Sequence, residues 1–157
     1  MEGHGGGLGK ARTPWPDDCI SDGMAEFQAD PLVGAVIGAA IEVHHVLGPG
    51  LLESAYQSCM VYELLQRGIL VEREVAVPVV YKETRLDCGY RVDLRVGGDV
   101  IVEIKCVEKL LPIHTAQVLT YLRLSGARRA LLMNFNGLTL KEGLRSFLGK
   151  GELNSQP

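Results

Sequence analysis

The sequence has no apolar run long enough to cross a bilayer. Its longest, Pro31 to Ile41, falls short of the ~20 residues of a spanning helix and leads into Glu42, His44 and His45. Residues 1–30 hold no apolar h-region, so no signal peptide is expected and no membrane partner. The four cysteines, Cys19, Cys59, Cys88 and Cys106, lack the paired spacing of zinc or redox motifs, and free thiols in a reducing, cytoplasmic setting are expected. No glycine-rich phosphate loop follows a strand pattern, which weakens a small-metabolite α/β reading. Nor is there an excess of basic charge. The net charge is −3. Residues 1–30 carry six acids and two bases, whereas residues 31–149 carry thirteen Lys and Arg against twelve Asp and Glu. That near-neutral stretch lacks the footprint of a tight, nonspecific nucleic-acid binder, so contact with a polyanion must come from local placement of charge.

What is present fits one soluble globular domain: 157 residues, 46% apolar and 22% charged. Residues 1–30 are rich in Gly, then in Pro and Asp, and read as a disordered leader with a short element near Met24–Gln28. Asp30 is placed to cap a helix that starts at Pro31, with Leu32, Val33, Val36, Ile37, Ala40 and Ile41 on its apolar face. Gly48-Pro49-Gly50 breaks it, and a second helix is expected from about Leu51 to Gln66. Ile69–Tyr81 and Arg85–Val96 read as strands, with Pro78 marking an edge or a bulge, and Asp99–Cys106 reads as a third. A helix over Ile113–Ser125, a strand over Arg129–Phe135 and a short helix over Leu140–Leu148 follow, before a polar tail over 150–157. A meander, a crossover helix and a further strand predict a mixed four-stranded sheet with helices on both faces.

The most informative stretch runs from Gly89 to Cys106. Val92, Leu94 and Val96 alternate with Arg91, Asp93 and Arg95, and Val100, Val102, Ile104 and Cys106 alternate with Ile101, Glu103 and Lys105. A two-residue loop would set every apolar residue against a polar one. A three-residue loop, Gly97-Gly98-Asp99, pairs Val96 with Val100, Leu94 with Val102 and Val92 with Ile104. Asp93 then lies opposite Glu103, with Cβ atoms ~5 Å apart, an arrangement that by itself destabilises a sheet. A hard divalent cation shared between the carboxylates reverses the sign of that interaction, and Mg²⁺ is typically held by one or two carboxylates plus waters.

Gly50-Leu-Leu-Glu53-Ser-Ala-Tyr56 resembles the GxxExxY pattern of a small prokaryotic family, and the likeness runs from Ile37–His44 through Asn134–Asn136. That family is placed in the PD-(D/E)XK nuclease superfamily, with a restriction-endonuclease-like α/β core. The resemblance implies a domain over residues 31–149 that cleaves phosphodiester bonds with Mg²⁺ or Mn²⁺, on DNA more than RNA. It sets Asp93 at the Asp position and Glu103-Ile-Lys105 at the (D/E)XK triplet, with Val92 where the pattern's name has Pro. It makes Glu53 the extra helical acid and Gln117 and Tyr121 the Gln-xxx-Tyr of the following helix.

Asp93 and Glu103 are thus the candidate metal ligands and, with Lys105 and Glu53, the candidate catalytic residues; the alternative is a set of solvated strand residues balanced by Arg91, Arg95 and Lys105. Glu53 is equally accounted for by the dipole at its helix start. Tyr56, one turn on, reads as core. His114, Gln117 and Tyr121 form a polar stripe, either solvated or contacting phosphate and base edges. Arg123, Arg128 and Arg129 form a basic cluster, either plain surface or steering a phosphate backbone. His44 and His45, adjacent on a helix, read as structural, and Cys106 as a buried inert thiol. A second class of function stays open, a non-catalytic module on the same fold that binds nucleic acid or a partner protein, and a homodimer fits either class.

Overall fold

The computed structural model describes residues 30–149. The leader expected over residues 1–30, apart from Asp30, its element near Met24–Gln28 and the tail over 150–157 lie outside the described residues. Helix α1 spans Pro31–Leu47 and α2 spans Glu53–Gln66. Strands β1 (Val71–Ala76), β2 (Val79–Tyr81), β3 (Thr84–Leu86), β4 (Arg91–Val96) and β5 (Val100–Lys105) follow. Helix α3 (Pro112–Ser125), β6 (Arg129–Asn134), a 3₁₀ turn (Lys141–Gly143) and β7 (Leu144–Leu148) complete the chain. No helix among the described residues is long and apolar enough to cross a membrane.

The sheet has five strands rather than four, in the order β1-β4-β5-β6-β7. Only β5 and β6 run parallel, joined through α3. The fifth strand comes from Leu144–Leu148, read from sequence as part of a helix. Leu140, Leu144 and Leu148 satisfy a helical period. However, β6 is buried along nearly its whole length, and its outer edge takes β7 antiparallel, with Arg129 against Leu148 and Met133 against Leu144. The demand for hydrogen-bond partners on a buried edge outweighs local periodicity.

The two long strands expected over Ile69–Tyr81 and Arg85–Val96 are each broken. Pro78, which has no N–H to give to a ladder, separates β1 from β2. Gly89, at φ +77° with its N–H on Asp87 Oδ1 at 3.0 Å, lies in the turn that separates β3 from β4. The freed segments pair as a separate hairpin, β2–β3, with Val79 opposite Leu86.

Two cores flank the sheet. Helices α1 and α2 cover one face, where Val36, Ile37, Tyr56 and Met60 meet Leu94, Val102, Ile104 and Met133. Helix α3 covers the other, where Val118, Tyr121 and Leu122 meet Val92, Ile101, Ala130 and Leu132. The N-cap of α1 ties these layers together. Asp30 Oδ1 accepts the Leu32 and Val33 N–H groups at 3.1 and 3.3 Å, as its place before Pro31 predicts. Its other oxygen pairs with Arg128, which also bonds Asp99 Oδ2 at 2.6 Å in the β4–β5 turn.

Gly143 sits where β7 leaves the 3₁₀ turn. A Cβ there would lie 2.5 Å from the Asn134 carbonyl oxygen and 2.7 Å from Asn134 Cβ. Gly143→Ala is therefore expected to cost about 1–3 kcal/mol, read as a lowered urea midpoint. An unchanged midpoint would show that β7 shifts away from Asn134 without loss.

Candidate active site

The β4–β5 hairpin turns through Gly97 and Gly98, both in the left-handed region (φ +58° and +72°), and its register is the three-residue-loop one: Val96 opposite Val100, Arg95 opposite Ile101, Leu94 opposite Val102. At the next position the main-chain ladder gives way to side chains. Glu103 Oε1 accepts the Asp93 N–H at 3.0 Å, and Asp93 Oδ2 accepts the Ile104 N–H at 2.7 Å. Each carboxylate thus takes a backbone donor from the opposite strand. The pairing of Val92 with Ile104 expected from parity does not form. Val92 packs on the α3 side and Leu94 on the α1–α2 side, although they are two residues apart. The expectation that Val92, Leu94 and Val96 share one face is corrected here: opening the ladder at Asp93 lets the strand rotate. On the neighbouring strand Glu74 has φ +50°, a left-handed conformation that a side chain larger than Gly adopts only where its surroundings hold it.

Glu103 is buried in the central strand of the sheet, and Asp93 is half-buried. Burial, and after it the charge of Asp93, pushes the Glu103 carboxyl up to about 8. The Asp93 N–H and Lys105 act in the opposite direction. Asp93 is also raised, first by burial and then by the charges of Glu74 and Glu53, against the Ile104 N–H and Lys105. Four acids and one lysine therefore share one electrostatic neighbourhood. Glu53 reaches it from the first turn of α2, where Oε1 accepts the Cys106 N–H at 3.4 Å. The Cys106 thiol is pushed up to about 11 by burial and by Glu53, so it stays protonated and unreactive at neutral pH.

Three side chains hold this arrangement from outside. Gln57, buried on α2, donates to Glu74 Oε1 at 2.7 Å and to the Asp93 carbonyl at 3.3 Å, and accepts from Arg73 at 3.0 Å. Tyr56 is fully buried and stacked on Phe135, with ring centroids 4.6 Å apart. Its hydroxyl donates to the Gly48 carbonyl at 2.5 Å and accepts the Leu51 N–H at 3.2 Å, fixing the turn that presents Glu53. Asn134 takes both polar groups of Val107, at 3.1 and 2.8 Å, and so holds the chain just after Lys105. Of these, Gln57 was legible as a neighbour of Glu53, one helical turn on. Glu74 carried no such signal, since its role depends on a backbone conformation.

On α3, Gln117 Nε2 donates to the Tyr121 hydroxyl at 3.2 Å, and Tyr121 is buried beside the acids. Burial and then the charges of Glu103, Tyr90 and Asp93 raise its phenol, while the bond from Gln117 lowers it. His114 leaves the expected stripe in part, because its Nδ1 accepts the Leu111 N–H at 2.9 Å and closes the helix start. The Arg123–Arg128–Arg129 cluster is dispersed. Arg123 is exposed on α3, Arg128 is drawn to Asp30 and Asp99, and Arg129 donates to Ser146 at 3.2 Å. His44 is buried with Nε2 2.9 Å from the Gly137 carbonyl, a structural contact, and His45 is exposed.

A family model for the PD-(D/E)XK nuclease superfamily matches residues 30–147. The chain belongs to that superfamily. No curated protein and no solved structure matches it significantly. PD-(D/E)XK membership makes this a nuclease-like domain with nucleic acid as substrate class, and PD-(D/E)XK nucleases generally use divalent metals. Among the described residues no three His, Cys, Asp or Glu side chains gather as a metal cage. The donor set is instead a carboxylate pair. One oxygen of each is engaged by backbone, while Asp93 Oδ1 and Glu103 Oε2 take no hydrogen bond from the described residues. Two hard oxygens whose ionised forms repel each other fit a cation that completes its shell with water and phosphate.

The raised Glu103 carboxyl sets a pH dependence for the metal-free protein. In the unfolded chain it releases its proton near the ordinary 4.5, in the folded protein near 8. The native state binds more protons across that window, so this group's contribution to stability is complete below about 4.5 and lost as pH rises to about 8. Glu103→Gln is expected to have a higher urea midpoint than the parent at pH 8 in EDTA, with the two converging near pH 4.5. A variant less stable than the parent at pH 8 would contradict the raised carboxyl.

Proposed function

We propose that residues 31–149 form a nuclease domain that hydrolyses DNA phosphodiester bonds with Mg²⁺ or Mn²⁺ held between Asp93 and Glu103. The observation that carries this reading is the like-charged pair itself, in which each carboxylate accepts an N–H from the facing strand and keeps one oxygen for a ligand. Held by Asp93 and Glu103, a divalent cation would supply Lewis acidity toward the scissile phosphate and toward the attacking water. Lys105, on the same strand face as Glu103, stabilises negative charge building on the phosphate oxygens and helps orient the attacking water. Glu53, whose charge is felt by both carboxylates, completes the acidic side of the site. Gln117 and Tyr121 meet the strand next to the reacting phosphate, with His114 and Arg123 further along α3.

The preference for DNA over RNA, and the assignment to the GxxExxY group, rest on the Gly50–Glu53–Tyr56 resemblance. Cys59, Cys88 and Cys106 are free thiols, which fits a reducing, cytoplasmic setting. The near-neutral charge of residues 31–149 favours a second copy or a partner protein that helps hold the strand. It is also the observation that favours the alternative of a non-catalytic binding module.

The purified protein is expected to cut DNA in Mg²⁺ or Mn²⁺ and not in EDTA. Glu103→Ala should abolish cleavage while staying folded, and Lys105→Ala should slow it by about 10²–10³-fold. Absence of cleavage of single-stranded, duplex, flapped and branched DNA and RNA in both metals would refute the nuclease reading. Calorimetric titration with Mn²⁺ is the second check, since a non-catalytic module has no need of the cation.

A further inference from the structure

We propose that the cleft between the β2–β3 hairpin and α3 is a nucleobase subsite, which takes one unpaired base of the strand whose phosphate lies at Asp93 and Glu103. The inference rests on the nuclease reading and names the form of substrate that the site prefers.

The cleft has a volume of about 520 Å³, within the range of ~300–1,000 Å³ usual for small-ligand sites. Its walls are apolar and aromatic: Val79 and Val80 from the hairpin, Tyr90 before β4, and Ile113 and Tyr121 from α3. Val80, Tyr90 and Ile113 are exposed, so these residues leave apolar surface open to water beside a polar site. Tyr90 and Tyr121 stand with ring centroids 6.2 Å apart at 52°, and among the described residues no third aromatic ring packs on the exposed Tyr90. Every base has a π-face, so an exposed tyrosine ring at the wall of a cleft is a stacking platform. Gln117 also lines the cleft; it spends one N–H on the Tyr121 hydroxyl and keeps its carbonyl oxygen and second N–H for a base edge. Among the described residues no acidic side chain lines the cleft, and the Arg123 guanidinium stands at it, a charge pattern that suits the phosphates on either side of a bound base.

Continuity with the acids argues for a base over other occupants. Tyr121 lines the cleft and packs in the core with Val92 and Ile101, on the two strands that carry Asp93 and Glu103, so the cleft adjoins the strands of the acid pair. A base inside a duplex offers only its edge, because its faces are covered by the neighbouring pairs. To lie against Tyr90 it must leave the stack, which costs least in a single strand, a flap or a frayed end.

The test uses the full chain with Ca²⁺ in place of Mg²⁺, so that binding is read without cleavage. The probes are a short labelled single-stranded DNA carrying 2-aminopurine and the same sequence as a blunt duplex. The single strand should bind more tightly, with a change in 2-aminopurine fluorescence. Tyr90→Ala should weaken its binding about five- to hundredfold and leave duplex affinity within about twofold. Tyr90→Leu keeps apolar bulk without the ring and should show the same loss, which separates stacking from a general loosening of the fold. Equal losses on both forms, no loss in either variant, or no affinity for either form would overturn the subsite. Metal-dependent cleavage by a protein whose Tyr90 variants bind normally sinks the subsite alone. Ring-dependent binding of single strands without cleavage in Mg²⁺ or Mn²⁺ supports the subsite and sinks the nuclease reading.

Discussion

Two carboxylates in the middle of a sheet, each accepting a main-chain N–H from the other's strand, constrain much of what surrounds them. A buried N–H must find an acceptor, and between β4 and β5 the ladder would ordinarily supply it. At Asp93 and Ile104 the acceptors are instead Glu103 Oε1 and Asp93 Oδ2. This satisfies the donors but separates the strands beyond Leu94 and Val102. It also brings two acids together where water is scarce. The opening lets Val92 turn to the α3 side while Leu94 stays on the α1–α2 side, so both cores depend on the same local exchange.

The remaining scaffold reads as support for that opening. Gln57 holds the Asp93 carbonyl and the strained Glu74 from the α2 side, and Asn134 substitutes for a missing strand neighbour at Val107. Tyr56 fixes the turn before Glu53 from within the core. Asp30, Arg128 and Asp99 fasten the start of α1 to the far end of the hairpin. The result is a rigid frame around a group of acids whose mutual repulsion is unfavourable without a counter-charge. A structure that tolerates such repulsion in a half-buried place has a physical reason to bind a cation there.

The facing of Asp93 and Glu103 could be read from sequence because alternation and a three-residue turn are local properties, and the Asp30 cap was legible for the same reason. Glu74 could not, because its place beside Asp93 depends on a left-handed backbone and on the packing of β1 against β4. Leu144–Leu148 was misread because a helical spacing of leucines also suits a strand when a buried edge beside it needs a partner. His114 belonged to a polar stripe by spacing, yet its ring is claimed by the Leu111 N–H at the helix start. Arg128 and Arg129 looked like part of a basic surface, but carboxylates and a serine draw them into the frame.

The sequence by itself determined that Asp93 and Glu103 stand across from one another, since register follows from alternation and loop length over a dozen neighbouring residues. Only the tertiary structure decided what charge they hold. The burial that raises Glu103 comes from the layers of helix and strand around β5, much of it from chain far from the hairpin, and desolvation depends on every group that excludes water from a site.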